Sequence, residues 1–160
     1  IFSLNNSFFL IRTGAQPVSA GNQNLRKNKK QKFIFFPRSQ HPIYNHELAI
    51  HAITLLPKEI LNEYTFIFIN SDSSDREYVE RISSLMRERS KEIKWRYLPT
   101  LNSEQMTQLF IDASLVVMTP KSDGSPVSAM EAMMVKTPVL LPPLNYDEEI
   151  LVEQFIQGRE

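Results

Sequence analysis

The chain of 160 residues contains no cysteine, and it has equal numbers of basic and acidic residues, 18 of each. The lack of cysteine excludes disulfides, thiolate chemistry and cysteine-ligated metal sites, and it fits a reducing, cytoplasmic location. The absence of net charge argues against nucleic acid as a partner, because nucleic acid selects a basic surface. No apolar run reaches the roughly 20 residues that span a membrane. With 42% hydrophobic and 22% charged residues, the composition indicates one globular domain.

Glycine is also scarce, with four residues, and its scarcity bears on phosphate binding. No GxGxxG turn and no Walker lysine motif occurs, so the chain is not expected to bind a dinucleotide in the usual way. The three histidines, His41, His46 and His51, are spaced five apart, which separates neighbours by about 140° on a helix. They cannot share one metal ion, and we interpret them as ordinary surface or turn histidines. No metal site is expected.

The first 32 residues differ from the rest of the chain. They begin at Ile1 without an initiator Met or a basic leader, which predicts a domain excised from a longer protein. Residues 16–32 are polar and end in a basic run from Arg26 to Lys32. We interpret this run as a solvated connector, and the alternative is contact with anionic lipid or a phosphate, which would place the protein at a membrane surface.

From Lys32 on, apolar runs alternate with amphipathic stretches. Five runs are predicted to be buried strands, namely residues 33–36, 64–69, 93–98, 115–118 and 138–141. Helices are predicted over 45–56, from Ser74 or Asp75, from Ser103, from Pro126 and from Ile150. In the first two helices, the residues expected to face the core are Leu48, Ile50, Ala52, Ile53 and Leu56, then Val79, Ile82, Leu85 and Met86. The alternation predicts an α/β fold with three layers, in which helices cover both faces of a parallel sheet.

Parallel sheets of this kind bind ligands beyond the carboxyl ends of their strands. The turns predicted at this edge carry Arg38 after the first strand, Asn70 after the second, Pro99 after the third and residues 122–125 after the fourth. Arg38 is there either to bind a phosphate, with a helix N-terminus as a second positive contact, or to pair with a surface carboxylate. The sequence therefore predicts a cleft for a polar, anionic ligand.

The turn after the fourth strand and the helix behind it contain two acidic residues. Gly124 is predicted to free the backbone for the turn, Ser125 to cap the helix and Pro126 to occupy its first position. Glu131 is the only charged residue of that helix, so its carboxylate needs a partner, which is either a ligand or a backbone group or arginine. Asp123 is either a ligand contact or a plain turn residue.

Several blocks of the sequence resemble the donor-binding domain of family-4 retaining glycosyltransferases. The arginine block is Phe35-Phe36-Pro37-Arg38, and the segment from Asp123 to Met133 is similar to the family's E-x7-E motif. Three weaker blocks flank these: Arg12 to Ala15 at the domain crossover, Phe110 to Pro120 before the motif, and Thr137-Pro138-Val139 after it. The resemblance covers nearly the whole chain from about Arg12, and its most specific part is the acidic motif with its flanks.

The resemblance implies one half of a GT-B fold, a Rossmann-like domain with a parallel sheet of five to six strands. Residues 1–32 would then be a crossover strand and polar linker, and residues 33–160 the nucleotide-sugar-binding domain, ending before the family's final strand and helices. The implied activity is hexosyl transfer, with retention by front-face attack, to a glycan or lipid-linked acceptor in polysaccharide biosynthesis. The donor substrate is a nucleotide-diphosphate sugar, with no cofactor and no metal. The isolated domain would be inactive without the N-terminal Rossmann-like domain.

The resemblance also implies roles for individual residues. Arg38, Asp123 and Glu131 would carry the chemistry: Arg38 neutralises the diphosphate, Asp123 holds sugar hydroxyls and Glu131 accepts hydrogen bonds from the ribose. The residues implied to line the diphosphate and the base are Gly124, Ser125, Pro126, Leu98 and Pro99.

The sequence departs from the family at the phosphate site. The lysine usual a few residues beyond the arginine is missing from residues 39–45, and Lys136 takes the place of a glycine, which should affect the helix end more than the ligand. Asp123 is also shorter than the commoner Glu. These departures leave two alternatives open: a non-catalytic Rossmann-like assembly module, or a related GT-B enzyme such as a phosphorylase or nucleotide-sugar epimerase.

Overall fold

The computed structural model describes residues 32–70, 75–89, 91 and 93–144. The strands are β1 (Phe33–Phe36), β2 (Thr65–Asn70), β3 (Trp95–Pro99), β4 (Leu115–Val117) and β5 (Val139–Leu140). The helices are α1 (His46–Thr54), α2 (Lys58–Glu63), α3 (Arg76–Arg89), α4 (Ser103–Asp112) and α5 (Val127–Met134), and a 3-10 turn covers Pro42–Tyr44. The predicted helix from Ile150, the Arg12–Ala15 block and the basic run before Lys32 lie outside the described residues, so the division of the chain at residue 32 stays a prediction.

All five described strands pair in parallel, in the order β3-β2-β1-β4-β5. Phe35 of β1 lies between Ile67 of β2 and Val116 of β4, so β1 is at the centre of the sheet. The chain first adds strands on one side of β1 and then on the other. The order of strands therefore switches direction between β1 and β4, and sheets of this type bind ligands beyond the carboxyl ends of the strands at such a switch point. We refer to this region, between the loops that follow β1 and β4, as the cleft.

Helices cover both faces of the sheet, which confirms the predicted three-layer α/β fold. Alternate residues of β1 enter two different cores, as a strand buried on both faces requires. On one face α1 and α3 pack on Ile34, Phe36, Phe66 and Phe68. On the other, α4 and α5 pack on Phe33, Phe35, Ile67, Ile69 and Val116.

Two details of the predicted helices are wrong. The first helix ends at Thr54, and a short second helix, α2, begins after Pro57. Leu48, which was predicted to face the core, is 47% exposed. The face of α1 that packs on the sheet carries Ala49, Ile50 and Ile53 instead. Helix α3 corresponds to the helix predicted from Ser74 or Asp75, and it begins after Asp75. The Oδ1 atom of Asp75 accepts a hydrogen bond of 2.9 Å from the backbone N–H of Tyr78.

Strand β3 lies at one edge of the described sheet, where it pairs with β2 alone. It begins at Trp95, two residues later than expected, because Ile93 is buried just before the strand. Arg96 is exposed, while Tyr97 packs against the α1–α3 side of the core. None of the described helices is long and apolar enough to cross a membrane.

Candidate functional site

The loop that follows β1 carries Arg38 into the cleft. It continues as the 3-10 turn Pro42–Tyr44, which begins at a proline and is capped by the imidazole of His41, whose Nδ1 accepts from the Ile43 N–H at 3.3 Å. Asn45 then adopts a left-handed conformation (φ 50°) that turns the chain into α1. Asparagine tolerates this conformation better than most residues, because its side chain bonds locally to the backbone.

Two hydrogen-bonded contacts fasten this loop to the segment that follows β4. The Thr119 hydroxyl donates to the backbone carbonyls of Tyr44 and Asn45, at 3.0 and 3.1 Å. The backbone N–H of Lys121 donates to the carbonyl of Ile43 at 2.8 Å. The two loops at the switch point therefore form one unit, although they are more than 70 residues apart in the chain.

This unit brings Arg38 and Asp123 together. Arg38 Nη2 lies 3.9 Å from Asp123 Oδ2, an ion-pair distance that is too long for a hydrogen bond. The Asp123 side chain is only 9% exposed, and its Oδ2 is buried with no hydrogen-bond partner among the described residues. An unpaired buried carboxylate oxygen is costly, which favours the prediction of a ligand contact over that of a plain turn residue.

Glu131 lies on α5, behind the same turn, and is half-buried. Burial raises its pKa, and the positive charge of Arg38 acts in the opposite direction, which places Glu131 within the electrostatic reach of Arg38. Within the described part of the chain, no backbone group or arginine donates a hydrogen bond to this carboxylate. The partner predicted for this carboxylate is therefore not found among the described residues.

The turn before α5 differs from the prediction in three ways. Pro126 precedes the helix rather than occupying its first position, and α5 has no side-chain cap, so Ser125 does not cap it. Instead, the carbonyl of Ser125 accepts from the N–H of Val127 at 2.8 Å. Gly124 is not left-handed, and an added Cβ would have nothing within 4 Å, so this backbone does not require glycine. The N-terminus of α5 thus has no side-chain cap, and a helix end of this kind favours an anion.

Leu98 and Pro99 lie at the carboxyl end of β3, on the same edge of the sheet as Arg38. They are two strands away from β1, which corresponds to about 10 Å. Leu98 packs against the α4–α5 side of the core, and Pro99 is exposed. The structure therefore places them beyond one end of the Arg38–Asp123 pair rather than beside it.

The prediction that all three histidines are surface or turn residues is wrong for His46, which is buried (2% exposed). His41 and His51 are exposed as predicted. Burial lowers the pKa of His46 to about 4, against the effect of a hydrogen bond to the Arg38 backbone. Its own backbone N–H donates to the Tyr78 hydroxyl at 2.9 Å. His46 thus connects the Arg38 loop to α3, which no pattern in a single sequence would reveal.

Tyr44 is a second residue that sequence reasoning missed. Its hydroxyl accepts a hydrogen bond of 2.7 Å from Arg38 Nη2, and its ring lies under the same guanidinium. The signal available in the sequence was only that an aromatic residue follows the arginine in the cation-poor stretch 39–45. Among the described residues, no three His, Asp or Glu side chains are grouped as the ligands of a metal would be.

The fold is that of a doubly wound α/β domain with two carboxylates and one arginine near its switch point. Residues 20–157 match the model of the family described as glycosyl transferases group 1. The match spans most of the 160 residues, so the chain belongs to the glycosyl transferases group 1 family. This membership confirms the resemblance seen in the sequence. No curated protein sequence matches the chain.

Solved structures with the same fold include glycosyltransferases of the GT-B type. TarM from S. aureus, solved with UDP, has a TM-score of 0.64 at 21% identity, over 77% of this chain and 24% of TarM. HepE from Anabaena, solved with UDP-glucose, has a TM-score of 0.59 at 19% identity, over 70% of this chain and 30% of HepE. The C-terminal domain of LpcC from Francisella tularensis has a TM-score of 0.60 at 15% identity, over 77% of this chain and 65% of that domain. The chain spans less than a third of TarM and of HepE.

Proposed function

We propose that this chain is the nucleotide-sugar-binding domain of a retaining glycosyltransferase that transfers a hexosyl group to a glycan or lipid-linked acceptor. The observation that carries the proposal is the convergence of Arg38, Asp123 and Glu131 at the switch point, with carboxylate oxygens that have no hydrogen-bond partner in the described structure. Membership of the glycosyl transferases group 1 family supports it. The UDP and UDP-glucose bound in TarM and HepE indicate the class of donor.

Each of the three residues has a role that follows from its chemistry. The Arg38 guanidinium neutralises the diphosphate and stabilises the negative charge that develops on it as the bond to the sugar breaks. The uncapped N-terminus of α5 adds a second positive contact. Asp123 Oδ2 accepts hydrogen bonds from hydroxyls of the transferred sugar. The Glu131 carboxylate accepts them from the ribose.

The other residues of the turn and of β3 complete the donor site. Gly124, Ser125 and Pro126 line the diphosphate with backbone groups, and the open space around Gly124 leaves room for a ligand. Leu98 and Pro99 contact the base at the far side of the cleft. Because a guanidinium and a helix N-terminus supply positive charge, we expect donor binding without a metal ion.

The acceptor and much of the catalytic power belong to a second, N-terminal Rossmann-like domain that this proposal requires. We therefore expect the 160 residues alone to bind a nucleotide sugar weakly and to catalyse little transfer. A cytoplasmic site of action, and contact of residues 26–32 with a membrane surface, stay predictions. Co-sedimentation with vesicles that does not depend on anionic lipid would exclude the membrane contact.

Isothermal titration of the chain with UDP, GDP and ADP tests the donor site. We expect one diphosphate to bind, and Glu131→Ala to weaken it about tenfold or more, because hydrogen bonds to a charged group are lost. Glu80→Ala is the matched control, since Glu80 is an exposed helical glutamate of α3, remote in sequence from the cleft. Failure of all three diphosphates to bind, or equal binding by Glu131→Ala, would overturn the assignment.

A second candidate function is supported by one observation, the missing lysine in residues 39–45. With one cation where two are usual, the domain would serve assembly rather than catalysis, and its cleft would not bind a nucleotide. The same titration separates the two functions, because a non-catalytic module gives no binding with any diphosphate. A sugar-transfer assay with the complete two-domain protein then distinguishes a transferase from a phosphorylase or an epimerase.

A further inference from the structure

The side chain of Arg38 has one hydrogen-bond partner among the described residues, and that partner is Tyr44. The Tyr44 hydroxyl lies 2.7 Å from Arg38 Nη2, and the guanidinium carbon lies 4.2 Å from the centroid of the ring. A guanidinium that stacks on a ring and donates to its hydroxyl is restricted in both position and direction. Tyr44 therefore fixes where the positive charge of the cleft is presented.

Arg38 does not pair closely with Asp123. Nη2 is 3.9 Å from Asp123 Oδ2, although a closer charge-assisted hydrogen bond would be strong in such a shielded place. Nη2 carries two N–H groups, of which one donates to Tyr44, and Asp123 Oδ2 has no hydrogen-bond partner among the described residues, so its lone pairs are available to a ligand. The guanidinium likewise keeps its remaining N–H groups, of which it has five in all.

The Tyr44 hydroxyl is itself available as a donor. It accepts the hydrogen bond from Arg38, so its own proton can go to a second partner, and none of the described residues accepts it. The side chain is half-buried rather than covered. The turn that carries it is held by the Thr119 hydroxyl and the Lys121 N–H, so the phenol does not depend on a ligand for its position.

We propose that Tyr44 is a diphosphate-binding residue that also positions Arg38. Its hydroxyl donates a hydrogen bond to the diphosphate of the nucleotide sugar beside the guanidinium, and its ring and hydroxyl hold the guanidinium of Arg38 in place. The neutral hydroxyl of Tyr44 thus gives the diphosphate a hydrogen bond in place of the cation that is missing from residues 39–45. The inference rests on the proposed function, because a diphosphate at this site is the acceptor that the hydroxyl requires.

The experiment compares Tyr44→Phe with the wild-type chain. This change keeps the ring under the guanidinium and removes only the hydroxyl. The probes are the nucleoside diphosphate that binds most tightly among UDP, GDP and ADP, by calorimetry, and the nucleoside of the same base, by ligand-observed NMR. We expect diphosphate affinity to fall about tenfold, the usual effect of losing one hydrogen bond to a charged group, and nucleoside affinity to stay unchanged.

Tyr64→Phe is the matched control, because Tyr64 precedes β2 and so lies at the opposite edge of the parallel sheet. It should leave both affinities unchanged. Equal losses for the nucleoside and the diphosphate in Tyr44→Phe would show a merely structural role and overturn the inference. Unchanged diphosphate binding in Tyr44→Phe would also overturn it, while the proposed function would stand. If the wild-type chain bound none of the three diphosphates, the proposed function and the inference would both fail.

Discussion

At the scale of single residues, the cleft is built from charges that are close to one another but not neutralised by hydrogen bonds. Arg38 Nη2 and Asp123 Oδ2 are 3.9 Å apart. Burial raises the pKa of Glu131, and the positive charge of Arg38 acts in the opposite direction. Such an arrangement costs stability in the free protein, because shielded polar atoms stay unpaired. It is a preorganised site in the sense that a ligand can bond to Asp123 without first breaking a hydrogen bond between Arg38 and Asp123.

Besides Asn45, Lys136 has a left-handed conformation, with a φ of 61° at the end of α5. Its N–H donates to the carbonyl of Met133, and the N–H of Thr137 donates to that of Ala132, both at 2.9 Å. These two bonds form a Schellman motif, in which the residue at the position of Lys136 is usually glycine. The structure thus explains why a glycine is usual there in the family, since any Cβ is disfavoured in this conformation.

Lys136→Gly is therefore expected to be more stable than Lys136→Ala. Lys136→Ala is the reference, because it removes the same side chain while keeping the strained Cβ. We expect the glycine variant to exceed the alanine variant by about 1 kcal/mol in the free energy of unfolding, measured by urea denaturation. An alanine variant as stable as the glycine variant would show that the left-handed backbone carries no cost here.

At the scale of elements, α1 and α3 are linked by a polar network below the Arg38 loop, buried at His46 and more exposed at Arg81. The Tyr78 hydroxyl accepts from the His46 N–H and donates to Glu47 Oε2 at 2.6 Å, and Arg81 donates to Glu47 Oε1 at 2.8 Å. Burial alone would raise the pKa of Glu47, but the hydrogen bonds from Tyr78 and Arg81 lower it overall. The pKa of Tyr78 is raised, mainly by burial and secondly by the hydrogen bond to Glu47. The network fixes the start of α1 and hence the base of the cleft.

His46 makes this network sensitive to acid. In the unfolded chain its pKa is near 6.5, and in the folded chain it is about 4, so between these values the unfolded state binds more protons. Stability is therefore complete above about pH 6.5 and falls as the pH is lowered towards 4, by about 3 kcal/mol from this residue. Urea denaturation at several pH values measures the loss.

The variants His46→Gln and His51→Gln separate this effect from general acid denaturation. Glutamine does not titrate, so His46→Gln should lose much of the pH dependence between pH 6.5 and 4. His51 lies on the same helix but is exposed, and its replacement should leave the slope unchanged. An identical slope in all three proteins would assign the acid sensitivity to other groups.

At the scale of the whole molecule, the position of β1 organises both the stability and the site. It pairs with β2 on one side and β4 on the other, and helices cover both faces. The carboxyl ends of β1 and β4 are neighbours only because the chain reverses its direction of strand addition there. The same feature thus creates the centre of the core and the cleft above it.

Amide hydrogen exchange tests this organisation. Ile34 and Phe35 lie between two strands, so their amides should exchange only on global unfolding. Arg96 and Tyr97 of β3 pair with β2 alone in the described sheet, so amides of this strand should exchange orders of magnitude faster. Ile67, in β2, is an internal reference for a central strand. Equal protection of β1 and β3 would contradict the strand order.

The sequence by itself determined the type and order of the elements. Phe33–Phe36 and the other apolar runs are bounded by polar turns, and the stretches between them are long enough for helices, which forces parallel pairing. It also singled out Glu131 as the lone charge of an apolar helix, and Arg38 and Asp123 by their places in the turns that follow predicted strands. Strand ends were displaced by one or two residues, since the burial of residues such as Ile93 depends on distant neighbours.

The tertiary structure alone decided which of these residues meet. That β1 and β4 are adjacent, and that Thr119 donates to Tyr44 across 75 positions of the chain, depends on contacts with no local pattern. Tyr44 reaches Arg38 only because the 3-10 turn and the left-handed Asn45 bend the loop back. Burial of His46 likewise arises from packing on α3. Local patterns encode which face of an element is apolar, whereas the partners of that face are chosen by the whole chain.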